Sequence, residues 1–141
     1  FVDSSTPQDF VVSSVISCVT SSLRTAFFSR HTHIMRVLLD DSQSSTHKID
    51  TILSKFQAYT CLSLDSTDSS LAAACNDGTI TIYDVNAQVV LKELSGHGDG
   101  RCTAFQFSPN LVDAVSSSDK GQLLVSALVP NQYQLCFHFL T

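Results

Sequence analysis

Charge is scarce in this chain. Lys, Arg, Asp and Glu together make up 15% of its 141 residues, while Ser and Thr are abundant, which suits short strands with hydroxyl-rich turns better than long surface helices. The little charge present runs negative, with a formal value of −5 and a pI near 5.3. That balance argues against a surface that grips nucleic acid through Lys and Arg contacts to phosphates, so direct nucleic-acid binding is expected to be incidental at most. No apolar run reaches the roughly 20 residues a helix needs to span a bilayer. The opening Phe-Val-Asp-Ser-Ser does not read as a secretory signal, and the chain starts without Met, as a piece of a longer one would. A location inside the cell, cytoplasmic or nuclear, with no membrane partner, is the expectation.

Several chemical signatures are missing as well. The five cysteines, Cys18, Cys61, Cys75, Cys102 and Cys136, are odd in number and include no C-x-x-C pair, so neither a disulfide framework nor a zinc site is indicated. Buried, reduced thiols are expected, which fits cytosol or nucleus. Nucleophilic hydrolysis lacks its Gly-x-Ser-x-Gly elbow. Gly96-His97-Gly98-Asp99-Gly100 is Gly-rich, yet no Lys-Ser/Thr follows and no helix is in place to offer amides to a phosphate. His31-Thr32-His33 can put two imidazoles on one face of a strand, but only Asp40 and Asp41 stand at ligand spacing, and a polar turn is the simpler reading. The acidic pairs Asp40-Asp41 and Asp65 with Asp68 fall in turns, where Asp caps backbone amides. No catalytic, cofactor-binding or metal-binding set emerges, and the chain is not expected to be an enzyme.

What is there is a core and a repeat. Hydrophobic residues make up 43% of the chain, enough for a buried interior in one domain. Three segments align, beginning at Ser17-Cys18-Val19, Thr60-Cys61-Leu62 and Arg101-Cys102-Thr103, their cysteines 43 and 41 positions apart. The middle repeat is the clearest: strand Thr60–Leu64, a Ser- and Asp-rich turn, strand Leu71–Cys75, the turn Asn76-Asp77-Gly78, strand Thr79–Asp84, and strand Val89–Leu94. Ile80 and Ile82 alternate with Thr79 and Thr81, and Asp-Gly punctuates a hairpin, as antiparallel strands require.

The third repeat keeps the order: Cys102–Phe107, Val112–Ser117, Leu123–Leu128 and Tyr133–Phe139, with turns at Ser108-Pro109-Asn110, Asp119-Lys120-Gly121 and Pro130-Asn131-Gln132. The first is degenerate: Ser17–Thr20, Arg24–Phe28, a turn near Ser29–Thr32, Met35–Leu39, a polar loop Asp40–His47, and Ile49–Leu53. Asp9–Val12 reads as an outer strand of a preceding unit. Four strands in a period of roughly 40 to 45 residues are one blade of a β-propeller. Blades are expected at about 14–56, 57–97 and 98–141.

Leu71-Ala72-Ala73-Ala74-Cys75-Asn76-Asp77-Gly78-Thr79-Ile80-Thr81-Ile82-Tyr83-Asp84-Val85, followed by Leu94-Ser95-Gly96-His97, resembles a repeat of the WD40 family. Tyr83-Asp84 stands where the family has Trp-Asp, and Gly96-His97 matches its Gly-His. Phe105-Gln106-Phe107-Ser108-Pro109-Asn110 looks like the family's inner strand and its Phe-Ser-Pro-Asp turn. The likeness is strong over 60–110, weaker to 141, and slight before 56.

The resemblance implies an all-β propeller segment and a buried set in which His, a hydroxyl, Asp and Trp hydrogen-bond within a blade. Here the middle repeat offers Asp77 and Tyr83, with Cys75 in place of the hydroxyl; the third offers His97 and Ser118, with Ser126-Ala127 in place of Trp-Asp. Asp77, Gly78, Tyr83, Asp84, Gly96, His97 and Ser118 are thus candidate structural residues rather than a chemical site. The run Leu64-Asp65-Ser66-Thr67, with Leu71-Ala72, Asp77-Gly78 and Gly96-His97-Gly98, also resembles an early blade of the tandem-propeller, transducin-beta-like subunit of the small-subunit processome, which would imply ribosomal RNA maturation in the nucleolus.

Three blades cannot close a ring of four to eight. The resemblance therefore implies a scaffold that binds other protein subunits, among them another propeller segment completing the ring. Ser42-Gln43-Ser44-Ser45-Thr46 is a candidate contact or phosphorylation loop. The strand Leu135–Leu140, with aromatics on one alternating face, is a candidate packing edge.

Overall fold

The computed structural model describes residues 16–20, 24–38, 48–98, 100–128 and 134–138. These hold twelve strands and no helix. The strands are β1 Ser17–Val19, β2 Thr25–Arg30, β3 His33–Leu38, β4 Ile49–Ser54, β5 Tyr59–Leu64, β6 Ser70–Cys75, β7 Ile80–Asp84, β8 Val89–Leu94, β9 Cys102–Phe107, β10 Asp113–Ser118, β11 Gln122–Ala127 and β12 Gln134–His138. Each consecutive four form one antiparallel sheet in sequence order, giving the orders β1-β2-β3-β4, β5-β6-β7-β8 and β9-β10-β11-β12.

The sheets are stacked on one another through their faces. Strand β6 shows why: Leu71, Ala72, Ala73, Ala74 and Cys75 are all buried, as happens only when a strand is covered on both faces. Because successive side chains point opposite ways, Leu71 and Ala73 join Phe27, Ile34, Tyr59 and Tyr83 against the first sheet. Ala72 and Ala74 join Ile80, Ile82, Phe105 and Phe107 against the third. Phe105 and Phe107 meet edge to face, their ring centroids 4.9 Å apart, the arrangement the ring quadrupoles favour.

The first strand of each sheet lines the inner side of the stack, with β5 packed against both β1 and β9. The Thr60 hydroxyl donates to the Cys102 carbonyl at 2.6 Å, tying β5 to β9 across the sheet boundary. On the far side of the third sheet, Val115 and Phe137 remain 40% and 47% exposed. In register beside them are Gln106, Val125 and Leu123.

Strand ends shift from their expected places mainly in the first sheet. Ser29 and Arg30 belong to β2 and His33 to β3, leaving the two-residue turn His31-Thr32 between them. His31 closes it at φ 55°, a left-handed conformation uncommon outside Gly. Ser29 is buried, and its hydroxyl accepts the Ile16 N–H at 3.2 Å, an anchor to β1 that a solvated turn would not provide. The expected strand Asp9–Val12, the loop Asp40–His47 and the turn Pro130-Asn131-Gln132 lie outside the described residues.

Candidate functional site

The most specific geometry in the chain lies where the segments joining one sheet to the next cross the hairpin turns. Residues 95–98 and 100–101, between β8 and β9, run over the turn Asn76-Asp77-Gly78. Gly96 has φ +65°, and a Cβ there would lie 1.8 Å from the Gly78 carbonyl oxygen. Gly78 has φ +90°, and its Cβ would come within 2.7 Å of the Gly100 carbonyl. The His97 N–H donates to the Gly78 carbonyl at 3.0 Å. Two chain segments thus meet backbone to backbone, which only glycine allows.

This crossing carries the His97 ring into the space between the second and third sheets, where it is 3% exposed. Its Nδ1 lies 2.7 Å from Gln122 Oε1 and its Nε2 lies 2.9 Å from Ser116 Oγ. Since the amide oxygen only accepts, Nδ1 carries the proton and Nε2 accepts from the Ser116 hydroxyl. Burial depresses the His97 pKa below 6.5, partly offset by the bond to Gln122. Both ring nitrogens are committed to structure, leaving none free for a metal or a proton-transfer step.

The preceding connection repeats the plan with different residues. The Lys55 N–H donates to the Thr32 carbonyl at 2.9 Å, the Tyr59 N–H to the His31 carbonyl at 3.1 Å, and the Asn76 N–H to the Ala58 carbonyl at 2.8 Å. Lys55 occupies the place of His97. Its ammonium donates to Thr79 Oγ1 at 3.1 Å and Glu93 Oε2 at 2.8 Å, and Thr79 holds the position that Gln122 holds one sheet later. Ala73 stands where Ser116 does, so no hydroxyl is available to pair with an imidazole, and a cation that bonds elsewhere takes its place.

The residues singled out in sequence are distributed over several tasks. Asp77 accepts from the Thr79 N–H and hydroxyl at 3.0 and 2.7 Å, and Asp84 accepts from the Asn86 and Ala87 N–H groups; both are turn caps. Tyr83 is buried against the first sheet, away from His97. The structure corrects Ser118 as the hydroxyl matched to His97: its Oγ instead accepts from the Lys120 and Gln122 N–H groups at 3.2 and 3.3 Å. Ser116, Ser118 and their run of serines alternate, so both face the same side, and the turn draws Ser118 away. Gln122 and Lys55 were missed because neither belongs to the family's set.

The thiols on the three inner strands are protonated. Burial, with Cys61 nearby, pushes Cys18 up to about 11 and Cys102 up to about 12, far from the range of a nucleophilic thiolate. No three His, Cys, Asp or Glu side chains gather as a metal site among the described residues. No helix among them is long and apolar enough to cross a membrane.

No family model and no curated protein matches the sequence. Solved structures do match. A chain of the crystal structure of the mitotic checkpoint complex superposes with a TM-score of 0.68 at 15% identity, over 89% of this chain and 42% of that one. Kluyveromyces lactis Hsv2 does so at 0.70 and 16%, over 82% and 37%. The β-propeller domain of Myceliophteria thermophila Cps50 (Swd1) gives 0.65 and 8%, over 83% and 42%. These are WD40 β-propeller proteins.

The chain has the fold of a partial WD40 β-propeller. Identities this low establish the fold alone, and each four-stranded sheet is a blade of it. The chain spans about two-fifths of the length of the propellers it matches. The inner strands β1, β5 and β9 take the axial side of the propeller, and the His97 crossing locks the second blade to the third.

Proposed function

We propose that the chain serves as a non-catalytic scaffold, presenting blade faces and turns to other proteins within a larger complex. The observation that carries this reading is the open side of the third blade, where Val115 and Phe137 stay solvent-exposed on a face whose opposite side is packed as a blade core. Burying apolar surface is worth roughly 25 cal/mol per Å², so such a face favours protein cover. A further propeller segment, from this or another polypeptide, is the partner that fits its shape and spacing.

The polar machinery agrees with this reading, because its hydrogen bonds are spent on turns and connections. A narrower reading makes the scaffold a subunit of a ribonucleoprotein assembly such as the small-subunit processome, within the nucleus. Only the sequence run around Leu64-Asp65-Ser66-Thr67 supports it, and the acidity of the chain favours protein over RNA as its direct contact.

Affinity capture with the tagged chain from cell extract, followed by Val115→Lys with Phe137→Lys, tests the proposal. A defined set of proteins should be recovered and lost in the double variant. A capture profile unchanged by both substitutions overturns it, and recovery of ribosome-assembly factors separates the narrower reading from the broad one.

A further inference from the structure

The two clefts between neighbouring blades present equivalent cross-strand pairs that are filled differently, with the bulge of the outer strand pair falling before that pair in the first blade and after it in the second. In the first blade, Arg36 of β3 pairs with Asp50 of β4, and the two side chains form an ion pair at 2.6 Å facing the second blade. In the second blade the corresponding pair is Ile82 of β7 and Lys92 of β8, facing the third. The first cleft therefore contains its own cation and its own carboxylate. The second contains the apolar Ile82 and a lysine with no ion-pair partner among the described residues.

That second cleft is also open. A cavity of about 300 Å³ lies there, walled by Ile82, Leu91, Phe107, Leu111 and Leu128 with Lys92 at its side. Its volume is at the lower end of what small ligands occupy, room for one large apolar side chain and its neighbours. Beside it runs β8, an edge strand that pairs only with β7 among the described residues. Val89, Val90 and Leu91 of that strand are 50–55% exposed, a contiguous aliphatic strip that is uncommon on an edge left to water.

We infer that the cleft between the second and third blades binds an acidic-hydrophobic segment of a partner protein. The partner inserts an aliphatic or aromatic side chain among Ile82, Leu91 and Leu128. An adjacent Asp or Glu pairs with Lys92, replacing the carboxylate that Asp50 supplies in the first cleft. The extended segment lies along β8, whose free backbone groups can pair with it as an added strand. Charge complementarity selects this occupant: a basic segment would meet Lys92 as a like charge, and a purely apolar one would leave it unpaired beside a desolvated wall. The inference rests on the scaffold reading and specifies one contact of it.

The test is selection from a displayed library of random 12-residue peptides on the full folded chain, run in parallel on Lys92→Glu and on Leu128→Gln. Enriched wild-type sequences are expected to carry a large apolar residue next to Asp or Glu, and to bind Lys92→Glu at least tenfold more weakly. Lys92→Glu should select basic neighbours instead, and Leu128→Gln should weaken binding without changing charge preference. Circular dichroism confirms that each variant is folded before selection. The inference is overturned by failure to enrich any sequence, by enrichment indifferent to residue 92, or by a consensus without acid. If affinity-captured partners remain bound to Lys92→Glu while the peptides fail, the scaffold reading stands and this cleft assignment falls.

Discussion

At the residue scale, His97 and the two glycines around it give the sharpest expectations. Removing the imidazole in His97→Ala takes the His97 bond from the buried Ser116 hydroxyl and from the half-buried Gln122 and opens a cavity, for a combined cost of about 2–4 kcal/mol in denaturant unfolding. The same residue sets a pH dependence. Its folded pKa lies below the ordinary 6.5, so the unfolded chain takes up a proton first. The stabilisation is then complete above pH 6.5 and declines as the pH falls through 6.5 toward the folded value. Melting temperature should drop between pH 7 and pH 5, and His97→Gln should flatten that slope. The carboxylate of Asp65 acts in a separate, more acidic window. Burial raises it, but hydrogen bonds from the Ser69 and Ser70 N–H groups and the Thr67 and Ser69 hydroxyls outweigh that and hold it below 3.8.

Gly96 and Gly98 separate space from backbone strain. Both have φ near +60°, yet an added Cβ strikes the Gly78 carbonyl at Gly96 and meets nothing at Gly98. Gly98→Ala should cost about 1 kcal/mol for the left-handed backbone alone, while Gly96→Ala should prevent recovery of folded protein; soluble yield and thermal melts of the two variants check this. The sequence exposed Gly96-His97 as a unit because the dipeptide is a motif. It did not expose the partner hydroxyl, since residues 116 and 118 lie two apart on one face and period-two reasoning cannot choose between them. The equivalence of Lys55 with His97 was hidden for a different reason: with Ala73 in place of the hydroxyl, nothing selects for an imidazole there.

At the scale of elements, β6 is the strand on which the packing of the blades depends most. Ala72, Ala73 and Ala74 are at most 1% exposed and separate two packed interfaces, so a larger side chain has to push blades apart. Ala73→Leu is expected to cost about 1–3 kcal/mol by overpacking, whereas Val90→Thr on the exposed edge of β8 should stay within about 0.5 kcal/mol; urea midpoints compare them directly. Strand identity was readable in β5–β8 because alternation and Asp-Gly turns coincide there. In the first blade it was blurred by the left-handed His31, a residue that gives no turn signal, which moved Ser29 and Arg30 into β2. The Arg36–Asp50 pair was not readable either, since strand register, not spacing in sequence, brings residues 36 and 50 together.

For the whole molecule, the fold class could be argued from the repeat alone. A blade core is finished only when both faces are covered, and among the described residues the third blade has one face packed while Val115 and Phe137 stay exposed on the other. The chain should therefore gain stability with concentration or with a partner, by mass action on the covered form. The most direct measurement is size-exclusion chromatography with light scattering on the purified chain across a hundredfold range of concentration. Association through the exposed face should give a concentration-dependent mass above 15.3 kDa, shifted toward the monomer by Val115→Lys with Phe137→Lys. A monodisperse 15.3 kDa monomer at every concentration, with a melting temperature independent of dilution, would contradict it.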